Sequence, residues 1–304
     1  MSPRITLGCG NFGGIGSAPA FFGQGEARED AFELMDAAWA AGLTAFDTAD
    51  AYGGGRSETW IGEWIAARGH RPELTTKVFH STVGDPADRG LAPDRIRRQI
   101  EGSLERLGVE RVETYMVHEP DEETPVEETM QAMAELVEVG KVGRIGASNV
   151  DRAWVERATD VAPVAVVQNS YSLLEREPEA EVLPFCVERG IAFTVFGPLA
   201  GGWLAGKYRR GKPLPAGSRM TLRPEPYRHL DDDAVYDGLE RFEEAASRRG
   251  VDMPTLAFAW LLSDARVVDV VVGPRCPDHL DPALAALDLH LSAAERDELA
   301  SLFP

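Results

Sequence analysis

Cysteine is scarce in this chain of 304 residues, and the three cysteines lie far apart: Cys9, Cys186 and Cys276. An odd number of scattered cysteines disfavours a disulfide framework and favours reduced thiols. The sequence has no apolar run long enough to span a membrane, and its first five residues enter a predicted strand without a secretion signal. These absences predict a cytoplasmic protein with no membrane partner.

Basic residues are also few, since 31 lysines and arginines face 50 acidic residues and leave a formal net charge of −19. This charge disfavours nucleic acid and anionic membranes as partners. A phosphate-bearing ligand would therefore need a local basic site. Four residues are candidates for it, although each has the alternative of being a solvated surface charge: Lys207, Arg209, Arg210 and Arg275.

Two kinds of catalytic motif are missing from the sequence. None of the six histidines forms an HxH or HxxxH pair, so no metal site is predicted. The chain also lacks the Gly-x-Ser-x-Gly elbow of many hydrolases. Both absences disfavour hydrolysis by a metal or by a serine nucleophile.

Apolar residues make up 44% of the chain and recur in short runs, most of them separated by segments of helical periodicity. Alternating strands and helices predict a parallel sheet, and eight of each predict an α/β fold, a closed (β/α)8 TIM barrel. No linker divides the sequence, so residues 1–304 are predicted to form a single domain. The predicted strands are residues 5–9, 43–47, 74–78, 114–118, 144–148, 164–169, 192–196 and 267–272.

Several helix ends can also be predicted. Residues 124–127 (TPVE) combine a capping box with proline at the first helical position, and Gly140 ends that helix. Ser292 and Glu295 form a second predicted capping box. Another helix is predicted to end at Gly108, because four apolar residues before it share one helical face: Ile96, Ile100, Leu104 and Leu107.

One connection, residues 209–233, is longer than the others and rich in proline, glycine, arginine and aspartate. A structureless loop of this length in a compact domain is usually functional or mobile. Because it follows the seventh strand, we expect it to lie over the barrel mouth as a substrate or cofactor flap. The alternative is a mobile surface loop without a role.

Four polar residues are predicted to meet at the mouth of the barrel. Asp47 ends the second strand, Lys77 lies near the end of the third, and His118 ends the fourth. Tyr52 follows Asp47 by five residues, on the loop after the second strand. Active sites of such barrels lie at the carboxyl ends of the strands. Each residue alone has an ordinary structural explanation, but together they predict one site.

The chemistry expected of this group is proton donation by a tyrosine. A phenol has a pKa of about 10 and is a poor acid near neutrality. An ammonium at ~4 Å would favour the phenolate by about 4 kcal/mol, roughly three pKa units before desolvation opposes it. Asp47 would hold Lys77 charged, and a neutral His118 would donate a hydrogen bond to the same oxygen as Tyr52. Such an acid suits hydride addition to a carbonyl group.

In type and order, these four residues resemble the catalytic tetrad of the aldo-keto reductase superfamily. Further segments resemble motifs of that family: YGGGRSE at 52–58, GRIGASN at 143–149, QNSYS at 168–172 and FGPLAGGWLAGKY at 196–208. The resemblance extends from residue 5 to about residue 290. It implies catalytic roles for Asp47, Tyr52, Lys77 and His118.

The resemblance also implies a nicotinamide cofactor. Ser148, Asn149 and Gln168 would hold its carboxamide, with polar capping of strand ends as the alternative role. Phe196 would stack on the nicotinamide where the family often has tyrosine or tryptophan. The rest of the seventh-strand motif would wrap the pyrophosphate, and the residues concerned are Gly197, Pro198, Leu199, Gly201 and Lys207.

The segment GPRCPDHLDPA at 273–283 resembles the family's last motif only in part. It begins with Gly273, and Arg275 matches a position that often contacts the adenosine phosphate. His279 stands where the family usually has glutamine, and Ala283 where it usually has asparagine. The expected cofactor is NADPH (NADP+), and NADH remains open.

The resemblance implies NADPH-dependent reduction of an aldehyde or ketone, a small-molecule carbonyl substrate. Two alternatives stay open: an NAD-dependent sugar or alcohol dehydrogenase, and a cofactor-sensing binding protein that resembles potassium-channel beta subunits. Specificity would lie in residues 11–25, 81–91 and 209–233; the oligomeric state is not predicted. Four aromatic residues either line an apolar substrate wall or serve packing: Phe12, Phe21, Phe22 and Trp203.

Overall fold

Eight parallel strands close into a barrel in the computed structural model, which describes residues 4–85 and 87–304. Each strand pairs with its neighbours in chain order, and the first pairs with the last. The predicted (β/α)8 barrel is therefore confirmed, while the predicted entry of residues 1–3 into the first strand lies outside the described residues. The strands are β1 Arg4–Gly8, β2 Ala45–Asp47, β3 Glu73–Val78, β4 Val112–Val117, β5 Val142–Ser148, β6 Val164–Ser170, β7 Ala192–Phe196 and β8 Val267–Val272.

Helices surround this barrel. One helix follows each of the first six strands: α1 Arg28–Ala40, α2 Arg56–Arg68, α3 Pro93–Leu107, α4 Val126–Glu138, α5 Arg152–Val161 and α6 Val182–Arg189. After β7 come α7 Arg219–Leu222, α8 Asp233–Arg248 and α9 Met253–Leu262. After β8 come α10 Asp281–Ala286 and α11 Ala293–Ala300. None of the helices in the described ranges is long and apolar enough to cross a membrane.

The apolar residues of these strands and helices are mostly buried. The strands are buried on most positions, as expected where helices cover the outer face of a parallel sheet. The four apolar residues predicted on one face of α3 are all buried, and Gly108 ends that helix at a φ of 65°. The capping box of Ser292 and Glu295 is present at the start of α11. These predictions are confirmed.

The capping box predicted at residues 124–127 is wrong. Pro125 precedes α4 as its N-cap, and no side chain caps this helix end. The Thr124 hydroxyl donates instead to the Asp121 carboxylate, which also accepts the backbone N–H groups of Leu91 and Glu123. A carboxylate with this many donors organises the loop between β4 and α4, and it attracts the hydroxyl away from the helix.

Some strand bounds also differ from the prediction. β2 begins two residues late, because the backbone N–H of Leu43 still closes α1 on Ala38. β5 begins two residues early, because Val142 pairs with Val112 of β4. β4 ends at Val117, but the next backbone N–H, that of His118, still donates to Val78 of β3.

The segment 209–233 is not structureless, contrary to the prediction. It contains α7 and a 3-10 helix, Glu225–Leu230. Arg219 at the start of α7 donates to the side chain of Asn11, and the backbone oxygen of Gly217 accepts from Arg275. The segment therefore packs against the loops that follow β1 and β8, at the carboxyl ends of the strands.

Two of the four aromatic residues considered for a substrate wall are packed in the core. Phe12 is 1% exposed, and Trp203 is fully buried against Tyr208 and Tyr236. Packing is thus the role of these two side chains. Phe21 and Phe22 are half-buried on the loop after β1 and remain available to line the mouth.

Gly62 marks a close approach of α2 to the end of α3. A Cβ at this position would stand 2.3 Å from the backbone oxygen of Arg106 and 2.8 Å from the carbonyl carbon of Leu107. Alanine normally stabilises a helix by up to about 1 kcal/mol relative to glycine. Here we expect Gly62→Ala to lower the free energy of unfolding by about 1–3 kcal/mol, measured by urea denaturation, because backbone must move.

The control for helix propensity is Ala66, which is exposed on the same helix. Ala66→Gly should cost only about 0.5–1 kcal/mol. A Gly62→Ala variant as stable as the wild type would contradict this packing of α2 on α3.

Candidate active site

The four residues predicted to meet at the barrel mouth do lie together. Asp47 is the last residue of β2, Lys77 is the penultimate residue of β3, and His118 follows β4. Tyr52 opens a short 3-10 turn in which the next three glycines all have positive φ angles. The loop is fixed to β3, because the backbone N–H of Asp50 donates to the backbone oxygen of Lys77.

Lys77 is a fully buried ammonium with two oxygen partners. Its Nζ lies 2.5 Å from Oδ1 of Asp47 and 3.0 Å from the backbone oxygen of Thr48. Burial by itself would lower the pKa of Lys77. Asp47 and Tyr52 together raise that pKa by more than burial lowers it, so the net pKa lies above the usual value. Lys77 is therefore charged throughout the neutral range.

The Tyr52 hydroxyl lies between this charge and His118. The Lys77 Nζ is 5.4 Å from the centre of the Tyr52 ring, and the hydroxyl is 3.4 Å from Nε2 of His118. Burial raises the pKa of Tyr52 above its usual value, and Lys77 opposes that rise only in part. The lysine thus acts in the direction expected from the sequence, but burial has the larger effect.

His118 is 8% exposed and is neutral near pH 7. Burial lowers the pKa of His118 well below its usual value, and the positive charge of Lys77 lowers it further. Its Nδ1 has no hydrogen-bond partner among the described residues. A neutral imidazole beside a phenol is suited to orienting an oxygen by donating one hydrogen bond.

Gln168 has a contact that the sequence did not reveal. Its Nε2 donates to Oδ2 of Asp47 at 2.9 Å, so both oxygens of that carboxylate are bound. The strand register places Gln168 of β6 opposite Ser148, the last residue of β5. Within residues 4–85 and 87–304, the amide oxygen of Gln168 accepts no hydrogen bond.

Asn149 and Ser148 form the neighbouring wall of the site. Asn149 has an unusual φ of 58°, and its side-chain amide donates to the backbone oxygen of His118 and to Oγ of Ser148. On the far side of Gln168, Phe196 ends β7 with a half-buried ring, followed by Gly197 at a φ of 68°. The residues assigned to a nicotinamide therefore occupy the ends of three adjacent strands.

A small cavity lined by three cations lies among the loops that follow β1, β7 and β8. Lys207, Arg219 and Arg275 line it together with the carboxylate of Glu26. Burial lowers the pKa of Lys207, as do the charges of Arg275 and Arg219. Three positive groups at one point of a chain with a net charge of −19 suit an anionic ligand.

Arg275 is already paired within this cavity. Its Nε lies 2.9 Å from Oε1 of Glu26, and its backbone N–H donates to Nδ1 of His279. Burial raises the pKa of Glu26, although the hydrogen bond from Arg275 lowers it. Gly273, just after β8, has open space where a Cβ would stand, which leaves the backbone there accessible.

The remaining predicted residues of the seventh-strand motif lie between the strand ends and the cavity. Pro198 is buried and Leu199 half-buried, and Gly201 lines the cavity itself. A Cβ on Gly201 would stand 2.7 Å from the Tyr227 ring, so only glycine fits there. The turn after β7 thus connects the end of that strand to the cavity, which Gly201 and Lys207 line.

Two of the four basic residues that the sequence offered as phosphate ligands do not line this cavity. Arg209 pairs with Glu243, and Arg210 pairs with Asp233 and Asp237, all on α8. They are surface ion pairs, the alternative that the sequence left open. Sequence reasoning missed Arg219 and Glu26 instead. Arg219 lies in the arginine-rich segment 209–233, but no local pattern distinguishes Glu26.

A buried acidic group lies behind the tyrosine loop and was also missed. Neither carboxylate oxygen of Asp50, nor the hydroxyl of Tyr115, has a hydrogen-bond partner in residues 4–85 and 87–304. Burial raises the pKa of Asp50 well above its usual value, and the nearby Glu58 raises it further. Burial thus disfavours the charged form of Asp50.

Cysteine and metal chemistry offer no second centre in the part of the chain that the structure describes. Cys9 and Cys186 are buried thiols, Cys276 is half-buried, and none is in a disulfide. No group of three histidine, cysteine or acidic side chains within these ranges is arranged to hold a metal.

Known proteins are similar to this chain in sequence over most of its length. The chain is 30% identical to an NADH-specific methylglyoxal reductase of Escherichia coli (strain K12), over 92% of this chain and 89% of that protein. It is 34% identical to a probable voltage-gated potassium channel subunit beta of Oryza sativa subsp. japonica, over 86% and 83% of the two chains.

A solved structure is also similar. The glycerol dehydrogenase AKR11B4 of Gluconobacter oxydans matches with a TM-score of 0.84 at 26% identity, over 98% of this chain and 90% of that one. The sequence model of the aldo/keto reductase family matches residues 4–303. Proteins of this family are oxidoreductases that use nicotinamide cofactors. The chain therefore belongs to the aldo/keto reductase family.

Proposed function

We propose that this chain reduces an aldehyde or ketone to an alcohol with NADPH, and that Tyr52 is the general acid. The observation that carries the proposal is the buried Lys77 ammonium, held by Asp47 at 2.5 Å and placed beside the Tyr52 ring. The hydroxyl of Tyr52 lies 3.4 Å from the neutral His118. A bound nicotinamide would supply the hydride for a small carbonyl substrate.

Each tetrad residue has one task in this scheme. Tyr52 gives its hydroxyl proton to the carbonyl oxygen as negative charge develops there. Lys77 reduces the cost of leaving a phenolate in a buried site, and Asp47 keeps Lys77 charged. His118, with its proton on Nε2, donates a hydrogen bond to the same carbonyl oxygen and orients it.

The cofactor would lie across the ends of β5 to β8. We assign Ser148, Asn149 and Gln168 to its carboxamide, and Phe196 to stacking on its ring. The free amide oxygen of Gln168 supports this assignment, because its nitrogen is already bound to Asp47. The pyrophosphate is assigned to the turn that follows β7 and to the cavity, namely Gly197, Pro198, Leu199, Gly201 and Lys207.

The adenosine end would lie at Gly273, Arg275 and His279. The cationic cavity supports a phosphate there, so we favour NADPH over NADH. Glu26 acts in the opposite direction, because its carboxylate already occupies one edge of the Arg275 guanidinium. NADH is therefore retained as the alternative cofactor.

Two other functions remain. An NAD-dependent sugar or alcohol dehydrogenase would use the same four residues in reverse. A cofactor-sensing partner of a larger assembly is favoured by the similarity to the rice channel subunit. The complete tetrad supports an enzyme over such a partner. A cytoplasmic location is proposed from the cysteine content alone.

Removing the Tyr52 hydroxyl tests the general acid. Tyr52→Phe keeps the ring and its packing, so cofactor affinity should stay near that of the wild type. Carbonyl reduction should fall by about 10²- to 10⁴-fold, the usual contribution of general acid catalysis. Single-turnover rates of cofactor oxidation measure this directly. A variant that keeps more than half of the wild-type rate of the chemical step would remove Tyr52 from the mechanism.

Arg275→Ala tests the site of the 2′-phosphate. A hydrogen bond to a charged group is worth about 1.5–3 kcal/mol, so NADPH affinity should fall by roughly 10- to 150-fold while NADH affinity barely changes. Fluorescence titration with each cofactor gives both numbers. The matched control is Arg209→Ala, which removes an arginine that pairs only with α8. Equal weakening of both cofactors, or a wild type that prefers NADH, would contradict the assignment.

A further inference from the structure

We propose that His80 and Glu119 form a hydroxyl-binding pair beside His118. This pair selects carbonyl substrates that carry a hydroxyl group on the carbon atom bonded to the carbonyl carbon. The inference rests on the proposed function and names the substrate class of the same site.

The pair lies at the edge of the tetrad. His80 follows β3 by two residues, and Glu119 follows His118 directly. The His80 ring packs edge-on against the His118 ring, with 4.8 Å between the ring centres. Its Nε2 lies 3.2 Å from Oε1 of Glu119. The pair therefore contacts the residue proposed to orient the carbonyl oxygen, and its side chains are partly exposed to solvent.

The pair is both held in place and accessible. Arg95 donates to the backbone oxygen of His80 at 2.7 Å, which fixes the start of the loop. The side chain of His80 is 25% exposed and that of Glu119 is 45% exposed. A substrate that enters the mouth can therefore reach both polar ends without displacing core side chains.

The charge on Glu119 makes it a strong acceptor. The hydrogen bond with His80 lowers the pKa of Glu119, burial opposes this in part, and the charges of Arg223 and Arg89 lower it further. Arg89 and Arg223 come from the two loops expected to set specificity, residues 81–91 and 209–233. Glu119 is thus a carboxylate at neutral pH, and a carboxylate can only accept hydrogen bonds.

A hydroxyl group fits this pair better than the other common substituents do. It can donate to Oε2 of the Glu119 carboxylate while Oε1 keeps its contact with Nε2 of His80. An alkyl group in the same place would displace water from the exposed part of the Glu119 carboxylate and supply no donor in return, which is costly. A carboxylate substituent would meet the like charge of Glu119. The burial of Phe12 and Trp203 in the core removes two side chains that would have favoured an apolar substrate.

Two pairs of carbonyl compounds, each differing only by a methyl group in place of a hydroxyl, test the inference. Glycolaldehyde is compared with propanal, and hydroxyacetone with butanone, using kcat/KM with NADPH and with NADH and correcting aldehyde concentrations for hydration. The wild type should prefer the hydroxylated member by at least about tenfold, mainly through KM. In Glu119→Ala this preference should collapse towards one.

The controls separate a role in binding from a role in folding. Glu122→Ala removes an exposed carboxylate from the same loop and should leave the preference unchanged. Glu119→Gln keeps the shape and should reduce the preference by an intermediate factor, and it replaces the alanine variant if that variant does not fold. Equal kcat/KM for both members in the wild type, or an unchanged preference in Glu119→Gln and Glu119→Ala, overturns the hydroxyl-binding role while leaving carbonyl reduction intact. Failure of the wild type to reduce any of the four compounds with either cofactor overturns the proposed function and this inference with it.

Discussion

The site depends on a single charge that has been removed from water, the ammonium of Lys77. An isolated buried ammonium would be too costly to keep, so its partners must be fixed in advance. Asp47 and the backbone oxygen of Thr48 come from β2 and the residue after it, and Gln168 of β6 holds the second oxygen of Asp47. Three strands of the barrel are thus joined at their carboxyl ends around one ion pair. Removal of one partner from such a pair costs about 3–5 kcal/mol, which explains why the group is so completely surrounded.

The Lys77 charge opposes the effect of burial on the pKa of one neighbour and adds to that effect at the other. At Tyr52 burial raises the pKa, and the ammonium opposes that rise. At His118 burial lowers the pKa, and the ammonium adds to that lowering. The phenol therefore keeps its proton while the imidazole stays neutral, so their environments distinguish the proposed acid from the proposed orienting group. Burial also raises the pKa of the nearby Asp50, which disfavours a negative charge there. The opposition of Lys77 to the effect of burial at Tyr52, rather than the identity of the side chains alone, is what we propose favours proton transfer to a carbonyl oxygen.

The tetrad was predictable because parallel strands place their carboxyl ends at one edge, so an acid, a lysine and a histidine at successive strand ends must converge. Contacts between residues on distant strands and loops of the closed barrel could not be predicted from the sequence. Gln168 and Asp47 are 121 residues apart, and Glu26 and Arg275 are 249 apart, so no local pattern signals either pair. The failure at Thr124 is of the same kind, because Asp121 competes for its hydroxyl. The sequence alone could not distinguish Arg209 and Arg210 from phosphate ligands, because their acidic partners lie on α8 and are visible only in the structure.

The most direct test of the central claim is the pH profile of alcohol oxidation in Lys77→Met, with Lys77→Met/Asp47→Asn as the variant that leaves no unpaired carboxylate. Folding of both is checked by circular dichroism. Since Lys77 opposes the effect of burial on Tyr52, its removal should raise the pKa of the phenol, and the rise of kcat/KM with pH should move to higher pH in both variants. A folded, active variant whose profile coincides with that of the wild type would show that Lys77 serves structure only, and would contradict its electrostatic role in catalysis.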